Sequence, residues 1–182
     1  VFVLARLLLP EHFGLVGMVA AITAIAERFK DLGLSIATVQ QRDITHVQVS
    51  TLFWINLAFG VSITALLCGS AQAIAWFYSD SRLFWIVVAM SANFLFGGLV
   101  VQHQALLRRQ MYFGHLTVVN LGATVLGIGV AIVLALNGYE YWALIWKELA
   151  RSACIAIGSF SFCRWLPGRP RRGAGVRSML HF

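Results

Sequence analysis

The residues of this chain that could do chemistry stand where charge is expensive. Lys147, Glu148 and Arg151 interrupt a run that is otherwise free of charge from Tyr141 to Cys163. Lys147 and Arg151 are four apart, so a helix puts them on one face, and Glu148 lies three before Arg151. Once Glu148 pairs with one neighbour, a positive charge is left over. An earlier run contains Glu27, Arg28, Lys30 and Asp31. On a helix Glu27 reaches Lys30 and Asp31, Arg28 reaches Asp31, and the set sums to zero. A leftover cation inside a membrane suits an anionic substrate or a carboxylate from another helix. Glu27 and Asp31 are candidates for an ion-coupling site. The plainer alternatives stay open: a structural interhelix pair for the later set, and a self-paired cluster for the earlier one.

The elements that must hold these charges are membrane helices. No Asp, Glu, Lys or Arg occurs from Ile44 to Ser79, from Leu83 to Leu107, or from Gln110 to Tyr139. A helix needs about 20 apolar residues to cross the hydrocarbon core. In lipid every backbone polar group must be satisfied internally, so such runs are helices. The 182 residues are 59% hydrophobic and 12% charged, against about 25% charged in a soluble domain. The pattern predicts an all-α polytopic membrane protein with six transmembrane helices. The first is truncated and ends near Leu9. The others cover His12 to Gln40, Val47 to Phe77, Leu83 to Leu107, Gly114 to Leu136 and Tyr141 to Trp165. Pro10-Glu11 suits a helix start and Asn137-Gly138 a helix stop. Val1 to Leu9 is too short to span, and the chain reads as a fragment. Residues 1–165 form the helical lobe, and residues 166–182 form a basic cytoplasmic linker.

Depth and sidedness follow. Arg151 lies ten residues past Tyr141, about 15 Å in, near the middle of a core of about 30 Å. The Glu27 cluster is roughly 22 Å past its helix start, in the inner third. Arg42, Arg108, Arg109, Arg164, Arg169, Arg171, Arg172 and Arg177 fall on alternate connections and the tail, and only Arg6 and Arg82 fall opposite. The excess of eight over two places the first group in the cytoplasm. Trp76, Phe77, Tyr78, Tyr139, Tyr141 and Trp142 form an aromatic belt at the outer end. The net charge of +7 would suggest nucleic acid in a soluble protein; here it orients the chain against an anionic leaflet.

Ala123, Gly127, Ala131 and Ala135 recur every four residues, a spacing that lets helices approach closely. His46, His103 and His115 have no metal-ligand spacing, alone or with Cys68, Cys154 and Cys163, which read as small buried hydrophobes. There is no nucleophile elbow, phosphate loop or paired-carboxylate site. The reading is a protein that is not an enzyme, with no metal, no cofactor and no nucleic-acid partner.

Several stretches carry a family resemblance. They are Ala5-Arg6-Leu7-Leu8 with Pro10-Glu11 and Phe13-Gly14-Leu15-Val16, then Asp31-Leu32-Gly33-Leu34-Ser35. Ser50-Thr51-Leu52-Phe53-Trp54 with Asn56-Leu57 follows, then Gln104-Ala105-Leu106-Leu107-Arg108-Arg109 and Tyr141-Trp142-Ala143-Leu144. Taken in order, they resemble the oligosaccharide flippases, the Wzx-type lipopolysaccharide and exopolysaccharide exporters of the multidrug/oligosaccharidyl-lipid/polysaccharide superfamily. The resemblance implies two six-helix lobes around a cavity that alternates between leaflets, and this chain matches the first lobe only. It implies the bacterial cytoplasmic (inner) membrane, an undecaprenyl-diphosphate-linked oligosaccharide as substrate, and polysaccharide polymerase and glycosyltransferases as partners. Arg151, Lys147, Glu148, Arg28 and Lys30 would then line the substrate path, with Arg6 at the outer mouth. The alternatives are a cation-coupled multidrug exporter of the same superfamily and an inactive scaffold fragment.

Overall fold

Pro10 opens the first described helix, α1 (Pro10–Phe29), with Glu11 in the first turn. A proline fits there because its missing N–H has no intrahelical partner to lose. The structure, a computed structural model, describes residues 9–29, 38 and 44–169. The truncated first helix, ending near Leu9, and most of the second helix beyond Phe29 lie outside the described residues. α2 (His46–Phe77) starts at a capping box. There the Gln48 N–H donates to Thr45 Oγ1 at 3.4 Å and the Thr45 N–H to Gln48 Oε1 at 2.9 Å, so two orphan donors are satisfied reciprocally. α3 (Arg82–Arg109), α4 (Phe113–Leu136) and α5 (Trp142–Phe162) follow.

The three short connections close in the same way. Ser79, Met111 and Gly138 all have positive φ. The next residue in each case donates to a carbonyl five back: Asp80 to Ala75, Tyr112 to Leu107, and Tyr139 to Leu134. This is the Schellman arrangement, which satisfies carbonyls the helix end would leave bare. Only Gly138 uses the residue type that adopts this backbone without steric cost. That is why Asn137-Gly138 announced a stop and Ser79 and Met111 did not.

α3 is the hub, packed against α1, α2, α4 and α5. The main core joins Val19 of α1, Ala71 of α2, Ile86, Val87 and Phe94 of α3, and Ile145 of α5. Helices in lipid gain little from excluding water, so close backbone packing holds them together. α2 and α3 meet glycine to glycine. A Cβ at Gly60 would stand 2.6 Å from the Phe94 carbonyl oxygen, and one at Gly98 would stand 2.8 Å from that of Asn56. Thr64 Oγ1 donates across this crossing to the Ser91 carbonyl at 3.0 Å.

Three helices are long and apolar enough to cross a membrane: α2, α3 and α4. α1 and α5, of 20 and 21 residues, come near a crossing length of about 30 Å, but each carries charge. The outward faces are apolar: Leu66, Val118, Leu121, Val125, Val133 and Ile157 are each more than half exposed. In water such a surface would be a liability, whereas hydrocarbon accepts it. The described residues thus form an all-helical membrane protein of five helices, and the first of the six crossings expected lies outside the described residues.

The ends differ. One collects the exposed aromatics Trp76, Phe77, Trp85 and Tyr139. There α1 is tied to both hairpin turns, by Glu11–Arg82 at 3.2 Å and His12–Glu140 at 3.5 Å. The hydrogen bond from the Arg82 side chain, helped by the Arg82 backbone N–H, holds the Asp80 carboxyl below its usual range. The other end carries Arg108, Arg109, Arg164 and Arg169. α5 stops there at Phe162, three residues before the expected Trp165. The following segment turns back instead. Gly168 N–H donates to Ser50 Oγ at 3.0 Å, and Trp54 Nε1–H donates to the Gly168 carbonyl at 2.9 Å. Trp165 stacks edge-on against fully buried His103.

Candidate functional site: a polar cavity among α1, α3, α4 and α5

A cavity of about 520 Å³ opens beside α3, among α1, α4 and α5. Four helices contribute polar side chains to it: Glu27 from α1, Asn93 and Gln104 from α3, Asn120 from α4, and Glu148, Arg151 and Ser152 from α5. The remaining wall is apolar, with Phe96, Val100 and Ile155 among it, apart from Thr23, whose hydroxyl donates to carbonyls of its own helix. Its size falls in the range of ligand pockets, about 300–1,000 Å³.

The charged turn of α5 is one bridged unit. Glu148 Oε1 lies 2.8 Å from Lys147 Nζ, and Glu148 Oε2 lies 3.5 Å from Arg151 Nη1. The carboxylate therefore engages both cations, each through a separate oxygen. The Lys147 and Glu148 side chains are about a third exposed and that of Arg151 is 43% exposed, so water or headgroups soften the attraction. Glu148 and Arg151 line the cavity, and Lys147 is not among its lining residues.

The small residues of α4 stand directly behind this turn. Ala123, Gly127 and Ala131 are buried, and Ala135 packs with Phe13 and Val16 of α1 around Leu144. A Cβ at Gly127 would come within 2.9 Å of the Lys147 carbonyl oxygen and 3.3 Å of Arg151 Cβ. The packing stripe and the charges, separate features of the sequence, thus meet at one place.

Glu27 is exposed and faces the same cavity. Arg28 lies in α1, but its side chain is outside the described residues, as are Lys30, Asp31 and Arg6. Asn93, Gln104, Asn120 and Ser152 were not singled out from sequence. Their signal was an uncharged polar residue within an apolar run, and the same runs hold others, such as Ser91, Thr117 and Ser159, that serve as ordinary helix packing. Asn93 Nδ2–H donates to the Met90 carbonyl at 3.1 Å, while its Oδ1 is buried without a partner. Asn120 Nδ2–H donates to the Leu116 carbonyl at 2.7 Å. Among the described residues no three of His, Cys, Asp and Glu gather as metal ligands would.

The described helices thus make an apolar bundle with a small chamber whose wall carries part-exposed charge. The comparisons narrow the class. The chain belongs to the family described as polysaccharide biosynthesis protein, whose family model matches residues 3–182. It is 25% identical to the lipopolysaccharide biosynthesis protein WzxC of Escherichia coli over 186 residues, covering 99% of this chain and 37% of WzxC. It is 34% identical to the teichuronic acid biosynthesis protein TuaB of Bacillus subtilis over 107 residues, 59% of this chain and 22% of TuaB. It is 29% identical to the succinoglycan biosynthesis transport protein ExoT of Rhizobium meliloti over 168 residues, 91% of this chain and 33% of ExoT. In each case the match spans little more than a third of the relative's length, or less. No solved structure matches the chain.

Proposed function

We propose that this chain is the first six-helix lobe of a two-lobe flippase that moves a lipid-linked oligosaccharide across the bacterial inner membrane. The cargo is an undecaprenyl-diphosphate-linked oligosaccharide bound for lipopolysaccharide, capsule or exopolysaccharide, delivered by glycosyltransferases and passed to a polymerase. The observation that carries this reading is the α5 turn of Lys147, Glu148 and Arg151. It stands within a helix of a protein of the polysaccharide biosynthesis family, and its Glu148 and Arg151 line a cavity. A strongly hydrated glycan cannot pass through hydrocarbon, so it needs a polar chamber open to one side at a time. Residues 166–182 lead toward a second lobe, and the basic end faces the cytoplasm.

The test is export. In cells whose surface polysaccharide depends on the protein, Arg151→Ala abolishes export while the protein stays inserted, and Arg151→Lys keeps part of it. A lysine supplies the charge but not the planar fork. Normal export by a stably inserted Arg151→Ala protein would remove Arg151 from the path. Loss of export only through loss of the protein would make the residue structural.

A further inference from the structure

The chain does not leave α5 freely. Residues 163–169 carry no helix and turn back over the basic end of the bundle. Alternate residues point inward: Cys163 is buried and Trp165 half-buried, while Arg164 and Leu166 are exposed. Trp165 packs edge-on against Phe53 of α2, with ring centroids 6.0 Å apart, and against His103 of α3 at 5.3 Å. The bonds of Gly168 to Ser50 and Trp54 hold the far end of this strap. Cys163 joins Val49 of α2, Leu106 and Leu107 of α3, and Leu116 of α4 in a small separate core.

That core stands just past the cavity. Gln104 lines the cavity, and Leu107 follows it toward the basic end of α3. Asn120 lines it too, and Leu116 lies nearer the same end of α4. About one helical turn, about 5 Å, separates the polar wall from this apolar plug. The hold on the strap has a weak point. His103 Nδ1 lies 3.1 Å from the Leu99 carbonyl oxygen of its own helix, and Nε2 lies 3.3 Å from the Trp165 carbonyl oxygen. A neutral imidazole has one N–H, so it donates to one of these and turns a lone pair to the other. Moving that proton from Nε2 to Nδ1 exchanges the bond to the strap for a bond within α3.

We propose that residues 163–169 are a latch that closes the cavity toward the basic end, docked while His103 donates to Trp165 and released when that bond is given up. The inference concerns the regulation of the same cavity and rests on the flippase reading for what the opening would pass. Docked, the strap completes the plug with Cys163 and ties the end of α5 to α2 and α3. Released, it withdraws Cys163 and Trp165 and leaves Gln104 and Asn120 one turn from water. Cys163 reports the state. It is buried, and burial pushes its thiol pKa up. Both slow its reaction with a maleimide, which needs the thiolate.

The experiment uses the full chain in membrane vesicles and a membrane-impermeant maleimide. With Cys68 and Cys154 replaced by alanine, Cys163 is the one thiol left. It should react at least tenfold faster in Trp165→Ala, which removes the ring, and in His103→Phe, which keeps a ring but no donor. In a second background, with all three cysteines replaced by alanine, Ser152→Cys marks the cavity wall. Adding Trp165→Ala should raise its labelling at least fivefold in inside-out vesicles and leave it unchanged in right-side-out ones. Circular dichroism checks that the helices are kept. Ser50→Ala, which removes the hydroxyl that accepts from Gly168, should free Cys163 more mildly. Cys163 as reactive in the parent as in Trp165→Ala would overturn the latch, and a His103→Phe rate equal to the parent's would overturn the role of His103. Cys163 freed with no change at Ser152→Cys, or a change from both faces, would overturn the closure of the cavity. No readout here contains cargo, so failure of the latch leaves the Arg151 export test standing, and failure of that test leaves the labelling result standing.

Discussion

The two helical hairpins use the same device for different ends. Between α2 and α3 the close approach is mutual: Gly60 and Gly98 each leave room for a backbone carbonyl of the other helix. Two polar pairs bridge it, Thr64 to the Ser91 carbonyl and Cys68 Sγ against Ser91 Oγ at 3.2 Å, while Asn56 Nδ2 is buried there without a partner. Between α4 and α5 the close approach to backbone is on one side only: Gly127 faces the turn that carries Lys147, Glu148 and Arg151, whereas Gly158 of α5 makes room for the Val119 side chain. The first crossing meets backbone to backbone without a charged side chain, while the second presents charge to a cavity. A small residue lets two backbones touch, and what the opposite helix carries decides whether the contact is scaffold or site.

The largest expected effect lies in the scaffold hairpin. Gly60→Leu and Gly98→Leu each force carbon against a backbone oxygen that cannot move aside, and overpacking of this kind costs about 1–3 kcal/mol or more. Folded yield in the membrane should collapse for both. Near-normal yield of Gly98→Leu would mean that the α2–α3 crossing is looser than described. Gly127→Leu comes next. It should lower yield more than Val130→Leu on the same helix, because Val130 is only partly buried. Gly127→Ala should preserve most of the fold but shift the α5 turn, reducing export more than yield. Equal losses in both would make Gly127 a packing residue alone.

A smaller effect is expected at Glu148. Glu148→Gln removes the charge that bridges Lys147 and Arg151. Because the three side chains are part-exposed, the loss of stability should be modest, about 1 kcal/mol or less, while export changes more. A large loss of stability would show that the bridge is structural, making the two hairpins alike. The smallest effect concerns Asp80, at the turn of the scaffold hairpin. Arg82 depresses its folded-state pKa, so its contribution is present above the ordinary carboxylate pKa and fades as pH falls through the folded value. Thermal melts of Asp80→Asn should converge with the parent at low pH. A constant difference down to the most acid pH would mean that Asp80 acts through its turn geometry.

The helices were legible in the sequence because charge and turn residues punctuate the apolar runs. Val47 to Phe77 became α2 (His46–Phe77), and Gly114 to Leu136 became α4 (Phe113–Leu136). The overrun of α5 to Trp165 has a tertiary cause. Propensity could not show that Gly168 bonds Ser50 and Trp54 across more than a hundred residues. The Gly60–Gly98 crossing was hidden because its glycines lie on different helices, whereas the α4 stripe has a visible four-residue period. The cavity was half legible. Its charges stood out in an apolar run, but Asn93, Gln104 and Asn120 gain meaning only once α3 and α4 bring them together.

The central claim is that a polar chamber lies inside an apolar bundle, and cysteine reactivity in intact membranes tests it most directly. With Cys68, Cys154 and Cys163 replaced by alanine, single cysteines are placed at Ser152 and Asn120 on the cavity wall and at Ile157 and Val125 on the outward face. A membrane-impermeant maleimide, applied from both sides of opened vesicles, should label Ser152→Cys and Asn120→Cys and leave Ile157→Cys and Val125→Cys unmodified. Ser152→Cys and Asn120→Cys as unreactive as Ile157→Cys would contradict the account.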